Sequence, residues 1–490
     1  MVFSSQIFAF YFLPLSLAVY YSLYRASQRA RNLCLAVLGY IFYGWVNPKF
    51  IFLMFGTTFL DWLLSLVIAY NSWRFWSQWK GVLGELPKAE RTKRQRTALT
   101  LSIVSNLLML GFFKYFNFFL DTYNGAVVAS GAPQLHWDTF FRVVLPLGIS
   151  FYTFQSLSYI IDVYRGDAKA MRNFVDFSCF VSMFPHLVAG PILKFSFLAG
   201  QIEHRALTLD KFSRGSAFFM LGMAKKILLA NPCGKVADIA FNAHSVHPAD
   251  AWFGVVSYAF QIFIDFSAYS DMAIGLGLMF GFVFARNFDS PYRSASIGEF
   301  WRRWHISLST WLREYLYIPL GGNRKGKVRT YINLFLTMLL GGLWHGASWN
   351  FVIWGGIHGT SLAAERGLGD DHAYFKLPKL LRGAITFFIV LVGWVFFRAA
   401  DFPKAATYLA SMFGLGPRHA EASLIAGILY KPYYLLAFGL AAVMIWFVQD
   451  TWEWTQNLTK AKSLCCVGVF LVAIAVLVTQ EYNPFIYFIF

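Results

Sequence analysis

Charge is scarce in this chain. Of 490 residues, 14% are Asp, Glu, Lys or Arg, against 57% hydrophobic and 19% aromatic. With so many long apolar runs, that balance excludes a soluble globular protein of this length. Acidic residues are the scarcer sign, 25 against 42 basic ones, for a net charge of +17. The basic residues gather in a few loops. That is the pattern of cytoplasmic loops beside an anionic leaflet, and it argues against a nucleic-acid partner. Cysteine is sparse and scattered, at Cys34, Cys179, Cys233, Cys465 and Cys466. Without a Cys-x-x-Cys pair there is neither a disulfide framework nor a metal-ligand spacing. No phosphate-loop motif, G-x-S-x-G elbow or Ser-His-Asp set is evident, which counts against an acyl-serine mechanism. Fixed-period repeats and low-complexity segments are also missing. What remains is an all-α polytopic integral membrane protein, read as one domain over residues 1–490.

Residues 1–24 lack a basic n-region and a small-residue cleavage site, so they read as a retained membrane helix. Arg25, Arg29 and Arg31 follow, which puts the N-terminus outside the cytoplasm. Further spans read at about 32–46, 50–70, 97–120 and 142–162. The loop 71–96 carries Arg74, Lys80, Lys88, Arg91, Lys93, Arg94 and Arg96 and marks the cytoplasmic side. The run 174–193 is apolar, yet Pro185-His186 and Gly190-Pro191 break it and basic residues flank both ends. A re-entrant hairpin fits better than a crossing. His186 reads as a turn residue or as a cavity liner. Lys225 and Lys226 interrupt the next apolar segment and are expected to snorkel to the cytoplasmic face.

The stretch 296–359 organises the chain. It opens on Ser296-Ile297-Gly298-Glu299, a capping-box pattern. At about 100° per residue, Trp301, Trp304, His305, Leu308, Trp311, Leu312 and Tyr315 share one face, with Arg302, Arg303 and Arg313 opposite. One continuous interfacial helix is expected, aromatic side to the membrane and basic side to water. A basic loop at 323–329 follows, and then an apolar run to Trp344-His345-Gly346. If Arg329 marks the water boundary, His345 lies roughly 24 Å further along a helix with a rise of ~1.5 Å per residue. That is deep inside a hydrocarbon core about 30 Å thick. An ionisable group there is a functional candidate, the bland alternative being a neutral histidine satisfied by a neighbouring helix.

The apolar block 251–284 contains two carboxylates, Asp265 and Asp271, which need partners or water. Arg286, Arg293 or the Trp301–Arg313 segment are candidates, and a site-supporting role is favoured over catalysis. Gly275, Gly277 and Gly281 suggest a tight hairpin. Later spans read at about 382–398, 432–449 and 464–480, separated by a polar outer loop at 399–431 suited to an external partner. The chain ends in an aromatic tail, residues 483–490. Asn483-Pro484 breaks the preceding helix. The tail is too short to span, so it must dock into protein. A buried histidine and a basic rim together suggest general-base catalysis. A neutral imidazole takes the proton from a hydroxyl attacking an acyl thioester, worth perhaps 10²–10⁴ in rate.

The runs FWRRWHISLSTWLREYLYIPLGGNR (300–324) and LLGGLWHGASWNFVIWGGIHG (339–359) resemble the membrane-bound O-acyltransferase family, in its bacterial branch. MVFSSQIFAFYFLPL (1–15), FYTFQSLSYIIDVYRGD (151–167), FPHLVAGPI (184–192) and IDFSAYSDMAIGLGLMFGF (264–282) resemble it too, so the likeness covers nearly the whole chain. Ala268 stands where relatives are expected to carry glycine. The resemblance implies about 10–12 transmembrane helices plus re-entrant and interfacial helices around a central tunnel and outer funnel. It implies His345 as the catalytic histidine of the Trp-His-Gly motif and His305 as the second motif histidine, with Trp344, Asp265, Asp271, Arg302 and Arg303 supporting the site. No bound cofactor is implied; acetyl-CoA from the cytoplasm is the acetyl donor substrate. A periplasmic SGNH-type transferase is the implied partner, and it serves a polysaccharide acceptor, alginate first and cellulose second. The implied location is the bacterial inner membrane with both termini periplasmic. Tyr487, in the tail, is a candidate acyl relay, with a docking element as the alternative. Two rival classes stay open: a transporter or flippase of polysaccharide precursors, and a passive scaffold. The absence of inverted repeats counts against the transporter.

Overall fold

The computed structural model describes residues 1–78, 84–87, 89–137, 142–369, 373–417 and 422–484. All regular structure among them is helical. Five helices are long and apolar enough to cross a membrane: Lys49–Tyr70, Lys93–Ala129, Pro248–Met279, Lys379–Arg398 and Lys460–Thr479. The chain is therefore an all-α multi-pass membrane protein. Its backbone groups into two compact units, one of Met1, Ile7–Thr208 and Phe280–Phe282, the other of Val2–Gln6, Leu209–Met279 and Val283–Phe490.

The first unit holds α1 (Leu13–Ser22), α2 (Gln28–Gly44), α3 (Lys49–Tyr70), α4 (Lys93–Ala129), α5 (Ile149–Arg165), α6 (Phe174–Ser182), α7 (Phe184–Leu187) and α8 (Phe195–Glu203). Its helix ends follow local chemistry. Thr92 Oγ1 accepts from Gln95 N while Gln95 Oε1 accepts from Thr92 N, a full capping box that starts α4 just past the basic loop. The 174–193 run is broken at Met183 into α6 and α7. Nine residues of α6 rise only ~14 Å and cannot cross. This agrees with a re-entrant segment. His186 there is a structural turn residue: it is fully buried and its Nε2 bonds the Phe180 carbonyl at 2.7 Å.

The second unit holds α9 (Leu209–Lys225), α10 (Asn231–Asn242), α11 (Pro248–Met279), α12 (Ile297–Arg303), α13 (Ile306–Leu312), α14 (Lys327–His345), α15 (Trp349–Leu368), α16 (Ala373–Lys376), α17 (Lys379–Arg398), α18 (Phe402–Met412), α19 (Ala422–Leu429), α20 (Pro432–Phe447), α21 (Thr451–Trp454) and α22 (Lys460–Thr479). Two close crossings frame it. In the first, a Cβ on Gly222 of α9 would meet the Ala268 carbonyl of α11 at 2.6 Å. In the second, a Cβ on Gly342 of α14 would meet the Phe351 carbonyl of α15 at 2.2 Å. Small residues at such crossings let backbones touch and gain dispersion where lipid offers no hydrophobic drive. Gly275 and Gly277 lie inside α11 rather than in the expected hairpin, and the turn falls at Gly281, where φ is +89°. Ala268 is fully buried, and it is its backbone carbonyl that lies against Gly222.

Candidate active site

The expected continuous helix over 296–317 does not form. The chain makes α12, breaks at Trp304-His305, and resumes as α13 followed by a π-turn at Arg313–Tyr317. His305 sits in the left-handed region at φ 43°. That is an unusual backbone for a non-glycine residue and persists only when its surroundings over-determine it. Here they do. Asp289 N donates to Arg303 O at 2.9 Å and Ile306 N donates to Asn287 O at 2.8 Å, so the loop after α11 satisfies the groups the break exposes. The aromatic stripe is not turned to lipid either. Trp301, Trp304 and Trp311 are buried, Trp304 against Trp394 and Phe288.

The start of α12 matches expectation at Ser296, whose Oγ accepts from Glu299 N at 3.0 Å. The second anchor is remote in sequence. Glu365 on α15 accepts from Ile297 N at 2.6 Å and from Gly298 N at 2.8 Å, placing a carboxylate on the helix N-terminus. This ties α12 to α15. The two arginines then diverge. Arg303 is held by Glu299 at 3.0 Å and by Asp289. Arg302 faces a cavity.

That cavity has a volume of about 750 Å³ and is walled by α12 to α15. Trp301, Leu308, Leu312, Met338 and Gly341 line its apolar length, and His345 and Trp354 also lie on its wall. A second, more polar cavity of about 840 Å³ adjoins it, sharing Arg302, Asn323, Thr330 and Arg366 and adding Lys327 and Glu365. So a cationic mouth leads into a mostly apolar channel. His345 ends α14, 6% exposed, ringed edge-on by Trp344, Trp354 and Phe397 at 4.9, 5.1 and 5.3 Å. As α14 is helical throughout Lys327–His345, the expected rise of roughly 24 Å from Arg329 to His345 holds.

His305 is fully buried and is absent from that cavity's lining. Trp344 links the two histidines, its ring 6.2 Å from His305 and 4.9 Å from His345. Asn287 Oδ1 accepts from Ser307 N and Ser307 Oγ and lies 3.2 Å from His305 Nδ1. An amide oxygen only accepts, so Nδ1 carries the proton and Nε2 keeps its lone pair. Among the described residues that Nε2 has no hydrogen-bond partner. Asn287 itself is oriented by donating to Ser270 Oγ at 2.9 Å.

A third histidine went unassigned in the sequence. Trp301 Nε1 donates to His358 Nδ1 at 3.3 Å. Indole N–H is donor only, so His358 holds its proton on Nε2 and braces a wall of the channel. Asn287, Arg366, Trp354 and Glu365 also escaped sequence reasoning. The pairing of Trp with His in both Trp304-His305 and Trp344-His345 was the one visible signal.

The intramembrane carboxylates have other partners than expected. Asp265 pairs with Lys226 at 2.8 Å and Asp271 with Lys225 at 2.6 Å. Lys226 does not snorkel: it is 2% exposed. Tyr487 and the rest of the tail beyond Pro484 lie outside the described residues.

The helices are those of a multi-pass membrane protein, and a buried histidine lies on the wall of one of its cavities. The chain belongs to the membrane-bound O-acyltransferase family, whose sequence profile matches residues 95–400, and it is an O-acyltransferase. It is similar to a probable alginate O-acetylase AlgI of Pseudomonas putida, 45% identical over an alignment covering 100% of both chains. It is also similar to a peptidoglycan O-acetyltransferase of Helicobacter pylori, 35% identical over 85% of this chain and 80% of that one. A teichoic acid D-alanyltransferase of Streptococcus thermophilus is 30% identical over 44% of this chain and 55% of its own.

Proposed function

We propose that the protein takes acetyl from acetyl-CoA on the cytoplasmic side of a bacterial inner membrane and passes it outward for O-acetylation of an exopolysaccharide, alginate before cellulose. A periplasmic SGNH-type transferase makes the final transfer, and both termini of the chain face the periplasm. The names of the near full-length relatives support acetyl and alginate. The observation that carries the reading is the cavity that has His345 on its wall. Its mouth, with Arg302, Arg366 and Lys327, suits the phosphates of a nucleotide thioester, for which guanidinium groups are the matched donors. Its apolar length suits the pantetheine arm.

The chemistry balances without a cofactor. The acceptor hydroxyl oxygen bonds to the thioester carbonyl carbon as His345 takes its proton. The C–S bond breaks, and the proton passes to the departing thiolate. His305, held by Asn287, acts at one remove, positioning Trp344, whose ring lies between it and His345. In this reading Tyr487 is the first acceptor, and its acetyl ester then serves the periplasmic partner. The test is polymer O-acetylation in cells carrying His345→Ala, with membrane level confirmed. Loss of acetyl with normal polymer export supports the assignment. Normal acetylation overturns it, and lost export favours a transporter.

A further inference from the structure

The last residues described in the chain are not merely laid on the bundle. Lys226, in the π-turn between α9 and α10, and Asp265 of α11 form an ion pair that is 2% and 1% exposed. Burying two charges costs desolvation that their attraction offsets only when the remaining protons are satisfied. Part of that satisfaction comes from the carbonyl of Pro484, which accepts from Lys226 Nζ.

The residues before it are gripped one by one. Asn231 Nδ2 donates to Tyr482 O at 3.2 Å and to Asn483 Oδ1 at 3.4 Å. Tyr482 OH donates to Asp238 Oδ2 at 2.5 Å, and Arg398 Nη2 holds the other Asp238 oxygen at 2.5 Å. Burial, and then the Asp238 carboxylate, push the Tyr482 phenol above its usual range, so it stays protonated and donates. Lys235 Nζ stands 4.9 Å from the Tyr482 ring centroid. Asn483 Nδ2 donates to Ser4 O at 2.8 Å, bringing in the N-terminal segment of the same unit. Proline at 484 has no N–H to satisfy and keeps Asn483 extended, which suits a strand held by side chains alone. Asn231 Oδ1 and Gln261 Oε1, both buried, have no hydrogen-bond partner among the described residues, so the seat has acceptor capacity left over.

We infer that Lys226, Asn231 and Asp238 form a peptide seat that fixes the register of the C-terminal segment, with Lys226 as its principal positioning residue. A fixed Pro484 sets the point from which the residues after it leave the bundle. Because the tail supplies the first acceptor, the seat serves the step that frees CoA as well as the onward transfer. This coupling rests on the proposed role of the tail; the seat itself does not.

The test uses the full chain in detergent, treated with a carboxypeptidase of broad specificity and followed by mass spectrometry. In parallel, acetyl-CoA-dependent release of free CoA by membranes and polymer acetylation in cells are measured. The seat predicts that trimming through Tyr482 is about tenfold faster in Lys226→Met than in the natural protein, and that Lys226→Arg restores protection. Tyr482→Phe, which leaves the buried ion pair intact and so guards against misfolding, speeds trimming about threefold by the loss of one hydrogen bond. CoA release and polymer acetylation fall together in both, because the tail supplies the acceptor whose attack frees CoA. Equal trimming in all variants overturns the seat. Faster trimming with undiminished polymer acetylation upholds the seat and overturns the role of the tail in transfer.

Discussion

Two polar regions lie inside the second unit, and they are treated in opposite ways. Around His345 the bundle is left hollow: Arg302 and Arg366 face open space, and the histidine is walled by aromatic rings. Around Lys226 the space is filled: the cation meets a carboxylate and a backbone carbonyl of the chain's own tail. The difference teaches how a buried ionisable group is to be read. A charge closed off on several sides is a fastening, because desolvation forces it to find partners in the protein. A histidine on the wall of a cavity is open to a ligand, which is the ground for the role proposed for His345.

The largest break in this contrast comes from removing His345, the proposed base. His345→Ala is expected to lower acetyl transfer by about 10²–10⁴, read as CoA release by membranes supplied with acetyl-CoA, with chain level unchanged. Next is Asn287→Ala, which takes away the acceptor that orients His305. The expected loss is about tenfold in kcat with KM for acetyl-CoA held, the signature of a misplaced ring rather than weaker binding. A matching fall in thermal stability would instead make Asn287 a brace for the helix break alone. Arg302→Ala sharpens the comparison at the mouth of the channel. KM for acetyl-CoA is expected to rise about fivefold with kcat little changed, and the effect should shrink as salt is raised. Equal kinetics at low and high salt would remove Arg302 from the donor site. The smallest effect is expected at Ala268→Gly. The change leaves the carbonyl that meets Gly222 in place and costs about 0.5–1 kcal/mol as a helix-interior glycine, seen as a slightly lower unfolding temperature with activity kept.

Much of the site was legible before the structure. The expected distance of His345 from Arg329 followed from a continuous helical rise, and α14 runs unbroken over both residues. The Ser296 cap is local chemistry and holds. The break at His305 was not legible, because periodicity assumes that a helix continues. The stripe from Trp301 to Tyr315 keeps nearly the same spacing whether or not one residue turns left-handed. The fate of Asp265 and Asp271 was misjudged for a related reason. Lys225 and Lys226 are remote from them along the chain, and a lysine in an apolar run reads equally well as snorkelling or as paired.

By itself the sequence determined the class of solvent, several of the spans, the family motifs and the helix that carries His345, since each depends on composition or on neighbours a few residues away. Tertiary structure alone decided which arginine faces the channel, which ring nitrogen of His305 keeps its lone pair, and which lysine holds the tail. Those outcomes are set by partners far along the chain, and a buried polar group takes whichever partner packing brings within hydrogen-bond reach.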